Sequence, residues 1–149
     1  MSSHMSHSVL LGFDFGTKKI GIAVGQVITG VATPLSIIKA ENGKPSWQVI
    51  EDLIKKWKVE AFVVGIPYNM DGSEQNTTAM AKKFANRLAD RFKLPTYHVD
   101  ERLTTVEARQ ALFDSMKHSK IKPGDIDCYA AKLILESWFE DQRDIQNET

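Results

Sequence analysis

The stretch "LGFDFGTKKIGIAV", residues 11–24, decides how this chain folds. It is an apolar run with a carboxylate, Asp14, in its middle, and Gly16, Thr17 and two lysines follow at once. "SVLLGFDFG" reads as a strand: short, apolar, aromatic-rich and ended by Gly16. "IGIAVG", residues 20–25, reads as a second, and the short "TKK" between them fits a hairpin turn. Strict alternation puts Asp14 on the same side as Leu10 and Gly12. Two chemistries use an acid set in a strand beside such a turn. One holds a magnesium ion for phosphodiester cleavage, and the other wraps the turn around the phosphates of ATP.

Working outward, "GVATPLSII", residues 30–38, is a third strand, with Pro34 predicting an edge position or a bulge. "NGKP" is a turn. "SWQVIEDLIKKW" is a helix with Ser46 as its cap and Trp47, Ile50, Ile54 and Trp57 at helical spacing. "EAFVVGI", residues 60–66, is a buried strand. After the loop "PYNMDG", a helix runs from about Ser73 to Phe92, with Ser73 as its cap and a stripe of Met80, Phe84, Leu88 and Phe92. "LPTYHVD", residues 94–100, is the last strand, and His98 is expected in the core. "TTVEARQALFDS" is a helix, "MKHSKIKPGD" a basic loop, and "DIDCYAAKLILESWFED" the closing helix. The three tryptophans, on helical stripes, are expected to be core residues, and Cys128 small core filler.

The order is strand, strand, strand, helix, strand, helix, strand, helix, helix. An antiparallel meander followed by alternating helices and strands predicts an α/β domain. Its five-stranded mixed sheet, three strands antiparallel and then two parallel, is flanked by helices. That is the order of the ribonuclease H-like fold. One domain spans residues 8–141. Residues 1–7 read as a vector-derived remnant outside the fold, and residues 142–149 as a polar tail.

Composition narrows the function. The 149 residues hold 19 Lys+Arg against 19 Asp+Glu, so the molecule is no polycation and any affinity for nucleic acid must be local. One cysteine excludes an internal disulfide framework and a cysteine-rich zinc site. No apolar run reaches the length of a membrane span, and a cytoplasmic protein is expected.

Three acids keep apolar company. Asp14 lies inside the first strand. Glu101, beside Asp100, ends the last strand. Asp127 opens the last helix one turn before Ala130 and Ala131, on the stripe that continues to Ile134, Leu135 and Trp138. Buried unpaired carboxylates cost several kcal/mol, roughly, and repel one another. Divalent cations reverse that balance. Two ions about 4 Å apart can serve both the attacking and the leaving oxygen of a phosphodiester. Taken singly, each acid also has a plainer role: a turn cap at Asp14, a solvated strand end at Asp100 and Glu101, a helix-start acid at Asp127.

Four ordered motifs carry a family resemblance. They are "DFGTKKIGIA" at 14–23, "GIPYNMDGSE" at 65–74, "DERLTTVEA" at 100–108 and "DCYAAKLIL" at 127–135. In these the chain resembles the YqgF/RuvX family, described as Holliday junction resolvases and as pre-16S ribosomal RNA nucleases, over about Leu10 to Phe139. The resemblance implies a ribonuclease H-like fold and a hydrolytic nuclease. It makes Asp14, Glu101 and Asp127 the catalytic and metal-binding acids, with Mg²⁺ or Mn²⁺, two ions, as the cofactor. Two positions depart from the family pattern. Lys19 stands where arginine is common, keeping the charge without the bidentate fork. Gln26 stands where an acid is often seen.

The expected nucleic-acid contacts are Lys18 and Lys19 beside the first acid, Arg102 after Glu101, and Lys117, Lys120 and Lys122 in the basic loop. Arg102 could instead pair with Asp100 or Glu107. His118 is a further candidate for proton transfer. The reading preferred is 5′-end processing of precursor 16S ribosomal RNA, with the ribosome or its precursors as partner and the protein a monomer or homodimer. Hydrolysis would leave a 3′-hydroxyl and a 5′-phosphate, as in the fold class. Resolution of branched DNA is the alternative. A third is a non-catalytic, nucleic-acid-binding assembly module, against which the retention of all three acids speaks. "DFGT" also resembles the first phosphate loop of the sugar kinase, actin and Hsp70 class. Those proteins close two such domains around ATP, which needs about twice this length.

Overall fold

The computed structural model describes residues 8–103 and 126–147, with side chains for 8–102 and 128–142. The predicted helix over 104–115 and the basic loop with Lys117, His118, Lys120 and Lys122 lie outside the described residues. Strands β1 (Val9–Asp14), β2 (Lys19–Gln26), β3 (Val31–Glu41) and β4 (Lys44–Pro45) precede helix α1 (Trp47–Trp57). Then come β5 (Ala61–Ile66), α2 (Asn76–Phe92), β6 (Thr96–Asp100), a 3-10 turn at Glu101–Leu103 and the closing helix α3 (Ile126–Asn147). The sheet order is β4-β3-β2-β1-β5-β6, with β1, β2 and β3 antiparallel and β5 and β6 parallel to β1. This is the ribonuclease H-like arrangement expected from the sequence.

The sheet has six strands rather than five. The sixth lies in residues read from the sequence as a plain turn. Asn42 and Gly43 have φ of 50° and 80°. Positive φ at both central residues makes a two-residue hairpin turn whose twist matches the flanking strands. The chain therefore folds straight back and pairs Glu41 with Lys44 and Ala40 with Pro45. The Pro34 expectation holds on both counts. The β2–β3 register slips where Ile22 faces Ser36 but Ala23 faces Pro34, leaving Leu35 as the extra residue. Among the described residues β3 has no neighbour on that side beyond the short β4.

The two faces of the sheet are covered differently. Leu11, Phe13, Phe15, Ile20, Ile22, Phe62 and Val64 point to α1 and α2 and join Ile50, Phe84 and Leu88 in the larger core. Phe84 is its hub, with ring centroids 5.4 Å from Phe13, 5.3 Å from Phe15 and 5.9 Å from Trp47. On the other face Leu10, Ala61, Val63 and Val99 meet Ile134, Leu135, Trp138 and Phe139 of α3. Cys128 is buried as small filler. Among the described residues no helix is long and apolar enough to cross a membrane.

Several local expectations are corrected. Gln75, not Ser73, caps α2: Gln75 N–H donates to Thr78 Oγ1 and Thr78 N–H returns a bond to Gln75, a capping box. Ser73 is used in the preceding loop, where its N–H and hydroxyl donate to Asp71 Oδ1 at 2.9 and 2.6 Å. Asp71, a better acceptor two residues upstream, takes the serine before it can reach the helix. Trp57 is 37% exposed rather than core. It sits in the last turn of α1, where the apolar stripe runs out. His98 is largely exposed rather than core, on β6, which is an edge of the sheet among the described residues. α3 continues to Asn147, through residues read as a polar tail.

Candidate nuclease site

Asp14 ends β1, and its register neighbours on both sides are glycines: Gly21 on β2 and Gly65 on β5. No side chain flanks the carboxylate within the sheet, so the acid stands in a shallow trough. Gly65 in turn pairs with Val99 of β6. Alternation carries the chain from Val99 through Asp100 to Glu101, which returns to the α3 face. A Cβ on Gly65 would lie 2.9 Å from Glu101 Oε1 and 3.1 Å from its Cγ. Glu101 therefore lies over Gly65, the residue beside Asp14, and its Oε1 is shut off from bulk water. The sequence places it at the end of the last strand; the structure puts it in the 3-10 turn that bends it back.

Helix α3 supplies the roof. A Cβ on Gly12 would meet Leu135 Cβ at 2.8 Å and the Ala131 carbonyl at 3.1 Å; one on Gly25 would meet Phe139 at 2.7 Å. These contacts fix the helix antiparallel to β1, with Ala131 over Gly12. A helix rises about 1.5 Å per residue and a strand about 3.3 Å, so four residues back on α3 match about two forward on β1. The N-terminal end of the helix therefore lies toward the Asp14 end of β1. The carboxyl ends of β5 and β6 lie toward that end too. Ligands of open α/β sheets bind at carboxyl ends, and the N-terminal end of a helix favours anions. Of the three predicted acids, Glu101 is placed against Gly65, the register neighbour of Asp14. Among the described residues no three metal-ligating side chains converge; the side chain of Asp127 lies outside them.

The basic residues divide. Lys18 and Lys19 are exposed at the β1–β2 turn. Lys19 pairs with Lys39 across β2 and β3, two positions from the pair Gly21–Ile37. Both lysines therefore face the same side as Asp14. Like charges directly opposite destabilise a sheet, which makes Lys39 a residue of interest that linear reading missed. Only the register shows it, since 20 positions separate the two in the chain.

Arg102 goes elsewhere. Its Nε lies 3.1 Å from both Asp100 oxygens and its Nη2 2.6 Å from Oδ2. The guanidinium lies 5.5 Å from the Tyr68 ring centroid. It takes the structural option left open by the sequence, pairing with Asp100. Hydrogen bonds from that guanidinium hold the Asp100 carboxyl below its usual range, and the pair raises Arg102. Lys82, paired with Glu74, lies 5.5 Å from the same ring. The loop at 67–74 is thereby pinned between α2 and the end of β6. Partial burial, helped by the Lys82 ammonium, pushes the His98 imidazole down.

The described part of the site suits a hard divalent cation. Its donors are carboxylate oxygens, and the cradle is one that a side chain at Gly65 would fill.

Comparison with known proteins agrees with this fold. Among solved structures, RuvC of Thermus thermophilus superposes with a TM-score of 0.56 at 15% identity, covering 91% of this chain and 96% of that one. The fowlpox virus Holliday junction resolvase gives 0.52 at 14%, covering 89% and 99%. At such identities these likenesses show the fold alone. The curated relatives are much nearer. A Proteus mirabilis protein is 52% identical over 138 residues, 93% of this chain and 99% of its own length, and bears the name "Putative pre-16S rRNA nuclease". A Yersinia enterocolitica protein of the same name is 50% identical over the same extent. The sequence pattern of RuvX, described as Holliday junction resolvase, matches residues 8–141. On that match, and on relatives half identical over nearly their whole length, this chain belongs to the RuvX family.

Proposed function

We propose that this protein is a cytoplasmic, divalent-metal nuclease that hydrolyses phosphodiester bonds in the 5′ maturation of precursor 16S ribosomal RNA. The observation that carries the reading is the position of Glu101 over Gly65, beside Asp14, at the carboxyl ends of β1, β5 and β6. The names of the half-identical relatives supply the RNA.

Asp14, Glu101 and Asp127 would hold Mg²⁺ or Mn²⁺, one or two ions. A cation so held supplies Lewis acidity and lowers the pKa of a coordinated water. Asp14 would orient that centre from the end of β1 and Glu101 from the 3-10 turn after β6, and the flanking glycines leave room for a phosphate to approach. Lys19 and Lys39, on the same face, draw the phosphodiester backbone toward the acids. The pinned 67–74 loop walls the far side. Arg102, paired with Asp100, serves as its clasp.

The test is metal-dependent cleavage of a labelled precursor 16S RNA 5′ leader and a four-way DNA junction, with Asp14→Asn beside wild type. Wild type is expected to cut the RNA, and the variant to lose at least about a hundredfold in rate. Cleavage of the junction alone would favour the second reading, which the family description supports. Binding of either substrate without cleavage would leave an assembly module.

A further inference from the structure

A recess of about 230 Å³ opens on the face of the sheet away from the three acids. Its floor is Phe15, Gly43 and Met80, and its rim is Lys44, Lys83 and Arg87. No carboxylate lines it, and none of the three cations is in an ion pair among the described residues. All three are exposed. In a chain with equal numbers of acids and bases, such a cluster is a local separation of charge.

The cluster is built by the fold. Lys83 and Arg87 lie one turn apart on α2, where like charges repel. Lys82, next to them, is neutralised by Glu74; Lys83 and Arg87 are not. Arg91, one turn further along, lies over the Trp47 ring at 5.0 Å. Lys44 is brought to the same opening by the Asn42–Gly43 reversal. A Cβ on Gly43 would lie 2.7 Å from Phe15 and 3.4 Å from Met80, so a side chain there would crowd the floor. The recess is also tied to the acid site. Gly43 N–H donates to Thr17 C=O and Ala40 N–H to Lys18 C=O, both at 2.9 Å. The turn that carries Lys18 and Lys19 is thus stitched to the hairpin that carries Lys44, and Phe15 of the floor follows Asp14 in the chain.

We infer that the recess is a second nucleic-acid site, in which Lys44, Lys83 and Arg87 take the phosphate backbone of a substrate arm that has passed around the Lys18–Lys19 turn from the acids. The inference rests on the nuclease reading and adds a substrate class to it. A substrate touching both faces of the sheet is a long or structured nucleic acid, not a short strand.

The experiment measures binding of the labelled precursor 16S 5′ leader, and of a short single-stranded RNA spanning the cleavage point, across a range of salt without metal. Lys44→Gln/Lys83→Gln/Arg87→Gln is compared with wild type and with Lys55→Gln/Lys56→Gln/Lys58→Gln, which removes equal charge from exposed positions at the end of α1. Each phosphate contact contributes about 0.7 to 0.9 to the slope of log affinity against log salt. The recess variant should weaken leader binding roughly tenfold or more and flatten its slope by about two to three. The short RNA and the unfolding midpoint should be unchanged. An unchanged slope for the leader, or the same flattening in the α1 variant, overturns the inference. Leader binding by wild type with the flattening, but with no cleavage, would sustain the site and sink the nuclease. Absence of leader binding by wild type would sink both.

Discussion

The two faces of one sheet follow opposite rules. Toward α1 and α2, the strands present Leu11, Phe13, Phe15, Phe62 and Val64, large groups interlocked with Phe84 and Trp47. Toward α3, the same strands present Gly12, Asp14, Gly21, Gly25 and Gly65. The first face makes stability by filling space, and the second makes room. Glycines let α3 settle close to the sheet, and its antiparallel run puts the helix start toward the Asp14 end of β1. The lesson is that a strand with period two can serve both ends at once. "LGFDF" puts its aromatics to one side and its glycine and acid to the other.

The comparison breaks most visibly at Phe84. Replacing Phe84 with Ala removes the ring that joins Phe13, Phe15 and Trp47, and should cost about 3–5 kcal/mol by chemical denaturation. A loss under about 1 kcal/mol would mean that the aromatic face does not carry the fold. On the other face, Gly65→Ala should separate activity from stability. The added methyl presses on Glu101 and on Ile134 Cδ1, 2.4 Å away, at an overpacking cost of about 1–3 kcal/mol. Metal-dependent cleavage should fall at temperatures where the variant is still folded. Full activity in the folded variant would show that the trough tolerates a side chain.

The smallest effect concerns the sheet edge. His98 has a folded pKa below its model-peptide value. The unfolded chain therefore binds the proton first as pH falls, and stability declines through the window beginning near pH 6.5. His98→Asn should flatten the stability profile there. An unaltered profile between wild type and variant would remove His98 as its cause.

Much of this was legible in the chain. The half-buried strand acid, the meander, the two parallel strands and the Phe84 stripe follow from alternation and helical spacing, which act over a few residues. What failed was decided by neighbours in space. Ser73 looked like a cap until Asp71 took its hydrogen bonds. Trp57 looked buried because spacing assigns a face but not how far the covering layer extends. His98 followed the strand pattern of its neighbours but lies on an edge.

By itself the sequence determined that an acid sits inside the first strand, that further acids close the last strand and open the last helix, and that lysines follow the first. The tertiary structure alone decided that Glu101 lies over Gly65 beside Asp14, that Lys39 joins Lys19, and that Lys44 meets Lys83 and Arg87 across the recess. The reason is physical. Local pattern fixes which way a side chain points, whereas strand register and close helix packing fix what it meets, and those are set by contacts between residues far apart in the chain.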